Sequence, residues 1–140
     1  MAQIPRLFVE PALGPGRTIT LDGQQARYLA HVLRLQPGAA VHLCDDQTGE
    51  WEAAVAAAGR RTVDLAVGTR LRPREAVPDL WLCAAPLKRQ RFEWVIEKAT
   101  ELGVAAILPV RTRRTLAERL NDERLRAHMV EAAEQCGRTA

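Results

Sequence analysis

Between Leu80 and Val110 the chain changes character twice within about thirty residues, and that change restricts the folds open to it. Leu80-Trp-Leu-Cys-Ala-Ala85 is an unbroken apolar run, the pattern of a strand buried on both faces. A helix is predicted from about Lys88 to Leu102, because Phe92, Val95, Ile96, Ala99 and Leu102 recur at helical spacing. Gly103 is suited to end it. Val104-Ala-Ala-Ile-Leu-Pro-Val110 is the next strand. Strand, helix and strand at this spacing make a βαβ unit, which implies a right-handed crossover and a parallel pair. Two strands alone do not make a stable doubly wound sheet, so the segment reads as the opening of an α/β domain. Asn121 caps a last helix, Asp122 to about Gly137, with Asp122 and Glu123 placed favourably in its first turn.

The residues before Pro73 have a different pattern. Arg6–Val9 is a short strand, and Asp22 can cap a helix from about Gln24 to Leu33. Ala26, Leu29, Ala30 and Leu33 form its core-facing stripe, and Gln36-Pro-Gly38 stops it. Ala40–Cys44 and Glu50–Ala57 pair as a hairpin across Asp45-Asp-Gln-Thr-Gly49. Gly59-Arg60 turns the chain again, into a strand that starts at Thr62 and runs toward Arg72. These elements predict a small antiparallel sheet, closed as a β-barrel, with one helix. Pro73–Pro78 reads as a linker. The expected plan is therefore an α+β domain over residues 1–73 and the start of an α/β domain over 79–140.

Composition excludes several functions. Serine is absent, so a serine triad is impossible. No apolar run approaches the roughly 20 residues of a membrane span, and the first residues lack the regions of a signal peptide, so a cytoplasmic protein is expected. Cys44, Cys83 and Cys136 are too scattered for a disulfide framework or a metal site, and read as buried small hydrophobes. The histidines, His31, His42 and His128, have no metal spacing. His128 and Cys136 lie about 12 Å apart along a helix, too far for a nucleophile pair. Of 20 basic residues only Lys88 and Lys98 are lysines. The bland account is a codon preference for arginine. The sharper one is clustering: Arg70, Arg72 and Arg74 alternate, Arg111, Arg113 and Arg114 form a second group, and Lys88, Arg89 and Arg91 a third. Alternate residues of an extended segment share a face, and a positive stripe attracts phosphate.

Three segments carry possible chemistry. His31-Val-Leu-Arg34 ends the first helix, where cations suit the helix dipole or reach a phosphate. Glu93, Glu97 and Glu101 repeat at four-residue spacing, where like charges repel, so basic partners such as Arg89 or the Arg111–Arg114 group are expected. Glu131-Ala-Ala-Glu-Gln-Cys-Gly-Arg138 sets hydrogen-bonding side chains beside small ones. Pairs such as Glu134–Arg138 are ordinary helical salt bridges, or else the run packs around a ligand.

Ile4-Pro-Arg-Leu-Phe8, His31-Val-Leu-Arg34, Lys88 with Arg91-Phe-Glu93, Glu97-Lys-Ala-Thr-Glu-Leu-Gly103 and Glu131–Arg138 occur in one order and spacing. Each is weak alone. As an ordered set they resemble the RsmE family, bacterial 16S rRNA uridine-N3 methyltransferases. The resemblance implies a PUA-like RNA-binding domain followed by a SPOUT-type α/β-knot domain, S-adenosylmethionine as cofactor, 16S rRNA of the small ribosomal subunit as partner, and a homodimer. By similarity, Arg6, His31, Arg34, Lys88 and Arg91 are candidates for RNA contact, and Arg138, Glu134 and Gln135 for the catalytic rim. The family's glycine-rich cofactor loops and knot have no counterpart among these residues. The resemblance therefore implies an incomplete, inactive form without a cofactor site. The alternatives are a non-catalytic RNA-binding protein that uses the β-rich module, and a structural dimerisation module.

Overall fold

The computed structural model describes residues 4–115 and 120–140. They fall into two compact units, Met1–Glu75 with Thr139–Ala140, and Ala76–Arg138.

The first unit holds β1 (Arg6–Phe8), β2 (Thr18–Leu21), α1 (Gly23–Arg27), β3 (Ala40–Asp45), β4 (Gly49–Ala58) and β5 (Val63–Arg72). The expected small barrel is a mixed sheet curled into a half-barrel, in the order β1-β3-β4-β5-β2. It departs from the antiparallel expectation at β1, which lies parallel to β3. Parallel neighbours need a long crossover, and here β2 and α1 lie within it. Val63, Leu65 and Val67 alternate inward along β5, with Ile19 and Leu21 beside them on β2. Register shifts interrupt the β4–β5 ladder, and bulges of this kind bend a sheet. Gly49 sits at φ 110, where an added Cβ would fall 2.2 Å from the Arg72 carbonyl oxygen. Glu75 and Thr139 bond reciprocally: each backbone N–H donates to the other's side-chain oxygen at 2.8 Å.

The Asp45 carboxylate organises the β3–β4 hairpin. It accepts from the N–H groups of Leu13 (2.6 Å), Gln47 (3.0 Å) and Gly49 (3.2 Å) and from the Thr48 main chain and hydroxyl. Burial alone would raise its pKa, but these donors outweigh burial and hold the carboxyl below its ordinary range.

The helix expected over 24–33 divides in two. Asp22 is its N-cap residue, without a side-chain cap bond, and the α-helical part ends at Arg27. Tyr28–Val32 then forms a π-turn. Leu33, expected in the core stripe, is exposed, while Leu35 packs against the core. Arg34, at φ 53, ends the segment before Pro37 and Gly38 are reached.

The second unit holds β6 (Trp81–Ala84), α2 (Arg89–Glu101), β7 (Ala106–Pro109) and α3 (Asp122–Cys136). β6 and β7 are parallel, as the βαβ spacing implies. Gly103 (φ 88) and Gly137 (φ 81) end α2 and α3 in the left-handed region. The Asn121 side chain accepts from Arg124 N–H at 2.9 Å, the predicted cap. Phe92, Ile96 and Ala99 are buried, but Leu102 is 83% exposed, because α2 ends at Glu101 and the stripe does not continue past the cap. β6 is not buried on both faces: Trp81 and Cys83 are exposed on one of them, for the sheet has only two strands. Cys44 alone of the cysteines is buried, its thiol pushed up by that burial to about 12, while Cys83 and Cys136 are exposed.

Candidate functional site

These elements carry three groups of candidate side chains, one in the first unit and two in the second.

In the first unit, β1, β4 and β5 bring Arg6, Glu50 and Arg72 together. Glu50 is buried, and Arg6 Nε and Arg72 Nε each donate to one of its oxygens at 2.6 Å. His42 Nδ1 stands 3.8 Å from the same carboxylate. Burial acts to raise the Glu50 pKa, and the two guanidinium groups more than reverse it, so the carboxylate stays charged below its ordinary range. The Arg6 side chain is only 11% exposed and lies over the Phe8 ring at 5.8 Å. Arg6 therefore has a structural duty, whatever else it touches. The expected stripe of Arg70, Arg72 and Arg74 is largely neutralised, since Arg72 holds Glu50 and Arg74 Nη2 pairs with Asp46 at 2.9 Å. His31 and Arg34 differ: both are exposed at the end of the π-turn.

In the second unit, Lys88 is the N-cap residue of α2 and Arg91 lies in its first turn, both exposed. No acidic residue shares that turn. Cations at the positive end of a helix oppose its dipole, so the arrangement destabilises the free helix end and favours an anion there. The acid row on α2 has other partners than expected. Glu93 pairs with Arg124 Nε at 2.5 Å and stands 3.7 Å from His128 Nε2. Glu97 and Glu101 share Lys98, at 2.8 and 2.9 Å. Arg124 and Lys98 thus take the place of the Arg111–Arg114 group, which is exposed, and the Arg89 side chain lies outside the described residues.

At the end of α3 the candidates part company. Arg138 Nη1 donates to the Thr100 carbonyl at 2.9 Å and the Val104 carbonyl at 3.2 Å, joining the ends of α3 and α2. Glu134 is half-buried and Gln135 exposed. No group of His, Cys, Asp and Glu among the described residues could hold a metal ion. Likewise, no buried side-chain nitrogen or oxygen among them lacks a partner. Arg27 and Tyr28, exposed near His31 and Arg34 in the chain, belong to none of the motifs. The available signal was the absence of any carboxylate from Gly23 to Cys44.

The model of the RNA methyltransferase PUA domain matches residues 21–67, and that of the RNA methyltransferase domain matches residues 73–140. Together they define an RNA-modifying class of chain and cover most of its length. The ribosomal RNA small subunit methyltransferase E of Synechocystis sp. is 36% identical over 135 residues, 95% of this chain and 44% of its own length. That of Rickettsia conorii is 28% identical over 134 residues, 95% of this chain and 55% of its own length. A crystal structure of the Neisseria gonorrhoeae enzyme of the same name, bound to S-adenosyl methionine, superposes with a TM-score of 0.87 at 24% identity, over 99% of this chain and 59% of that one. The chain thus matches both domain models of RNA methyltransferases in order, and it is similar to relatives named ribosomal RNA small subunit methyltransferase E. It spans about half the length of the relatives it matches.

Proposed function

We propose that these residues supply the RNA-binding domain (residues 1–73) and part of the methyltransferase domain (79–140) of an enzyme that methylates uridine N3 in 16S rRNA, working in the cytoplasm as a homodimer. The order of the two matched models along the chain carries the reading. The names of the relatives support the rRNA substrate, and the family resemblance supports the uridine.

S-adenosylmethionine supplies the methyl group in the family. Among the described residues, the segments after β6 and β7 lead with Ala85-Pro86 and Val110-Arg111, without glycine. What these residues can do is bind and position. A uridine N3 must lose its proton before it accepts a methyl group, and the negative charge spreads to the flanking carbonyl oxygens, where an arginine stabilises it. Arg138 is the candidate by resemblance, with Glu134 and Gln135 beside it. Its bonds to Thr100 and Val104 carbonyls fit a positioning role first. Lys88, Arg91, His31 and Arg34 would hold RNA phosphates.

The 140-residue chain alone should bind RNA, with affinity that falls steeply as salt rises, and should give no S-adenosylmethionine signal in titration calorimetry. A measurable calorimetric signal would contradict the second expectation, and salt-independent RNA affinity the first. The exposed cations of the first unit also suit a non-catalytic RNA-binding chain. Methyl incorporation into 16S rRNA by the product of the whole gene separates the two.

A further inference from the structure

The segment Tyr28–Arg34 departs from a plain helix in two ways. Its π-turn is closed by Leu33 N–H donating to the Tyr28 carbonyl at 2.9 Å. The added residue per turn rotates the next side chains out of the register that buries Ala26 and Leu29. In consequence Val32 is 68% exposed, Leu33 37% and Tyr28 40%. Arg34 then adopts φ 53, a conformation that costs any residue with a Cβ. Both departures are unfavourable in themselves. They coincide where they place an aromatic ring and an aliphatic side chain in solvent, one turn apart.

Positive charge next to this patch comes from arginine. Arg27 and Arg34 flank it in the chain and are exposed, as is His31, and no carboxylate occurs between Gly23 and Cys44. Apolar faces ringed by positive charge complement a strand with stacked bases and a phosphate backbone. A duplex hides its base faces, so an unpaired strand fits better.

We propose that Tyr28–Arg34 is a stacking platform for unpaired RNA, with Tyr28 and Val32 receiving base faces and Arg27 and Arg34 pairing with the flanking phosphates. This rests on the RNA-binding reading above and names the form of RNA. The test is fluorescence anisotropy on the full chain, with a labelled oligoribonucleotide of about 12 nucleotides, single-stranded or annealed to its complement, across a salt series. The single strand should bind more tightly. Tyr28→Ala should weaken it roughly tenfold and leave the salt slope unchanged, since stacking is not ionic. Tyr28→Phe should stay within about twofold, because it keeps the ring. Arg34→Gly, tolerated at φ 53, should lower the salt slope by about one. Thermal melts check folding; if Tyr28→Ala does not fold, Tyr28→Leu keeps the apolar bulk without the ring and is read instead. Equal affinity for the duplex overturns the proposal, as does full affinity in the ring-less variant, the result a protein-binding patch would give. A changed salt slope on removing the ring also overturns it. Absence of RNA binding by the unaltered chain would instead defeat the RNA-binding reading itself.

Discussion

Glu50 shows how a single side chain decides what its neighbours are available to do. A buried carboxylate needs charged donors, and Arg6 and Arg72 provide them. Arg6→Ala should therefore lower stability by about 1–3 kcal/mol, because it strips one charged hydrogen bond from a buried group; a urea midpoint equal to that of the unaltered chain would contradict the cluster's role. A loss of RNA affinity in that variant reports on stability as well as contact, which makes Arg34 the cleaner probe. The carboxyls of Glu50 and Asp45 are both held below their unfolded values of 4.5 and 3.8. A depressed carboxyl stabilises the fold above the unfolded pKa, and that contribution is lost as pH falls through the folded pKa. Urea midpoints should thus hold steady near neutrality and fall below about pH 4.5; an unchanged midpoint at about pH 3 would contradict this. Burial of Glu50 and the consequent engagement of Arg6 were not legible in the sequence, since a Glu inside an alternating strand reads as solvent-facing until the pairing register is known.

Elements with strong local signals were legible. The β3–β4 hairpin is set by its turn formers, and the parallel β6–β7 pair by strand–helix–strand spacing. Asn121 starts a helix, and Gly103 and Gly137 end helices, as their chemistry demands. The elements that escaped depend on tertiary pairing. β2 is four residues whose partner, β5, lies more than forty residues further on, and β1 finds β3 across a crossover. The π-turn escaped because Ala26, Leu29, Ala30 and Leu33 keep perfect α spacing, and only competition between Leu33 and Leu35 for the core reveals it. Gly49 carries an element-scale prediction. Gly49→Ala must accept φ 110 and a Cβ 2.2 Å from the Arg72 carbonyl oxygen, so it should cost about 2 kcal/mol or more. A thermal midpoint unchanged in that variant would show that the β4–β5 strands do not close on each other as described.

At the scale of the molecule, the resemblance to RNA methyltransferases and the mixed α/β plan were legible because short motifs recur in order from Ile4 to Arg138. The candidate site was legible only in part. His31, Arg34, Lys88 and Arg91 are exposed, whereas Arg6 and Arg138 are engaged with a buried carboxylate and main-chain carbonyls. A net charge of +3 is too small to show where RNA would lie; the acid-free stretch around the π-turn is more informative, because Arg6, Arg72, Arg74 and Arg124 are all paired with carboxylates. No helix of the described residues is long and apolar enough to cross a membrane. The most direct measurement is nucleoside mass spectrometry of 16S rRNA from cells with and without the gene encoding this chain. Disruption should remove one N3-methyluridine, and restoring the gene should return it. An unchanged N3-methyluridine content would contradict it.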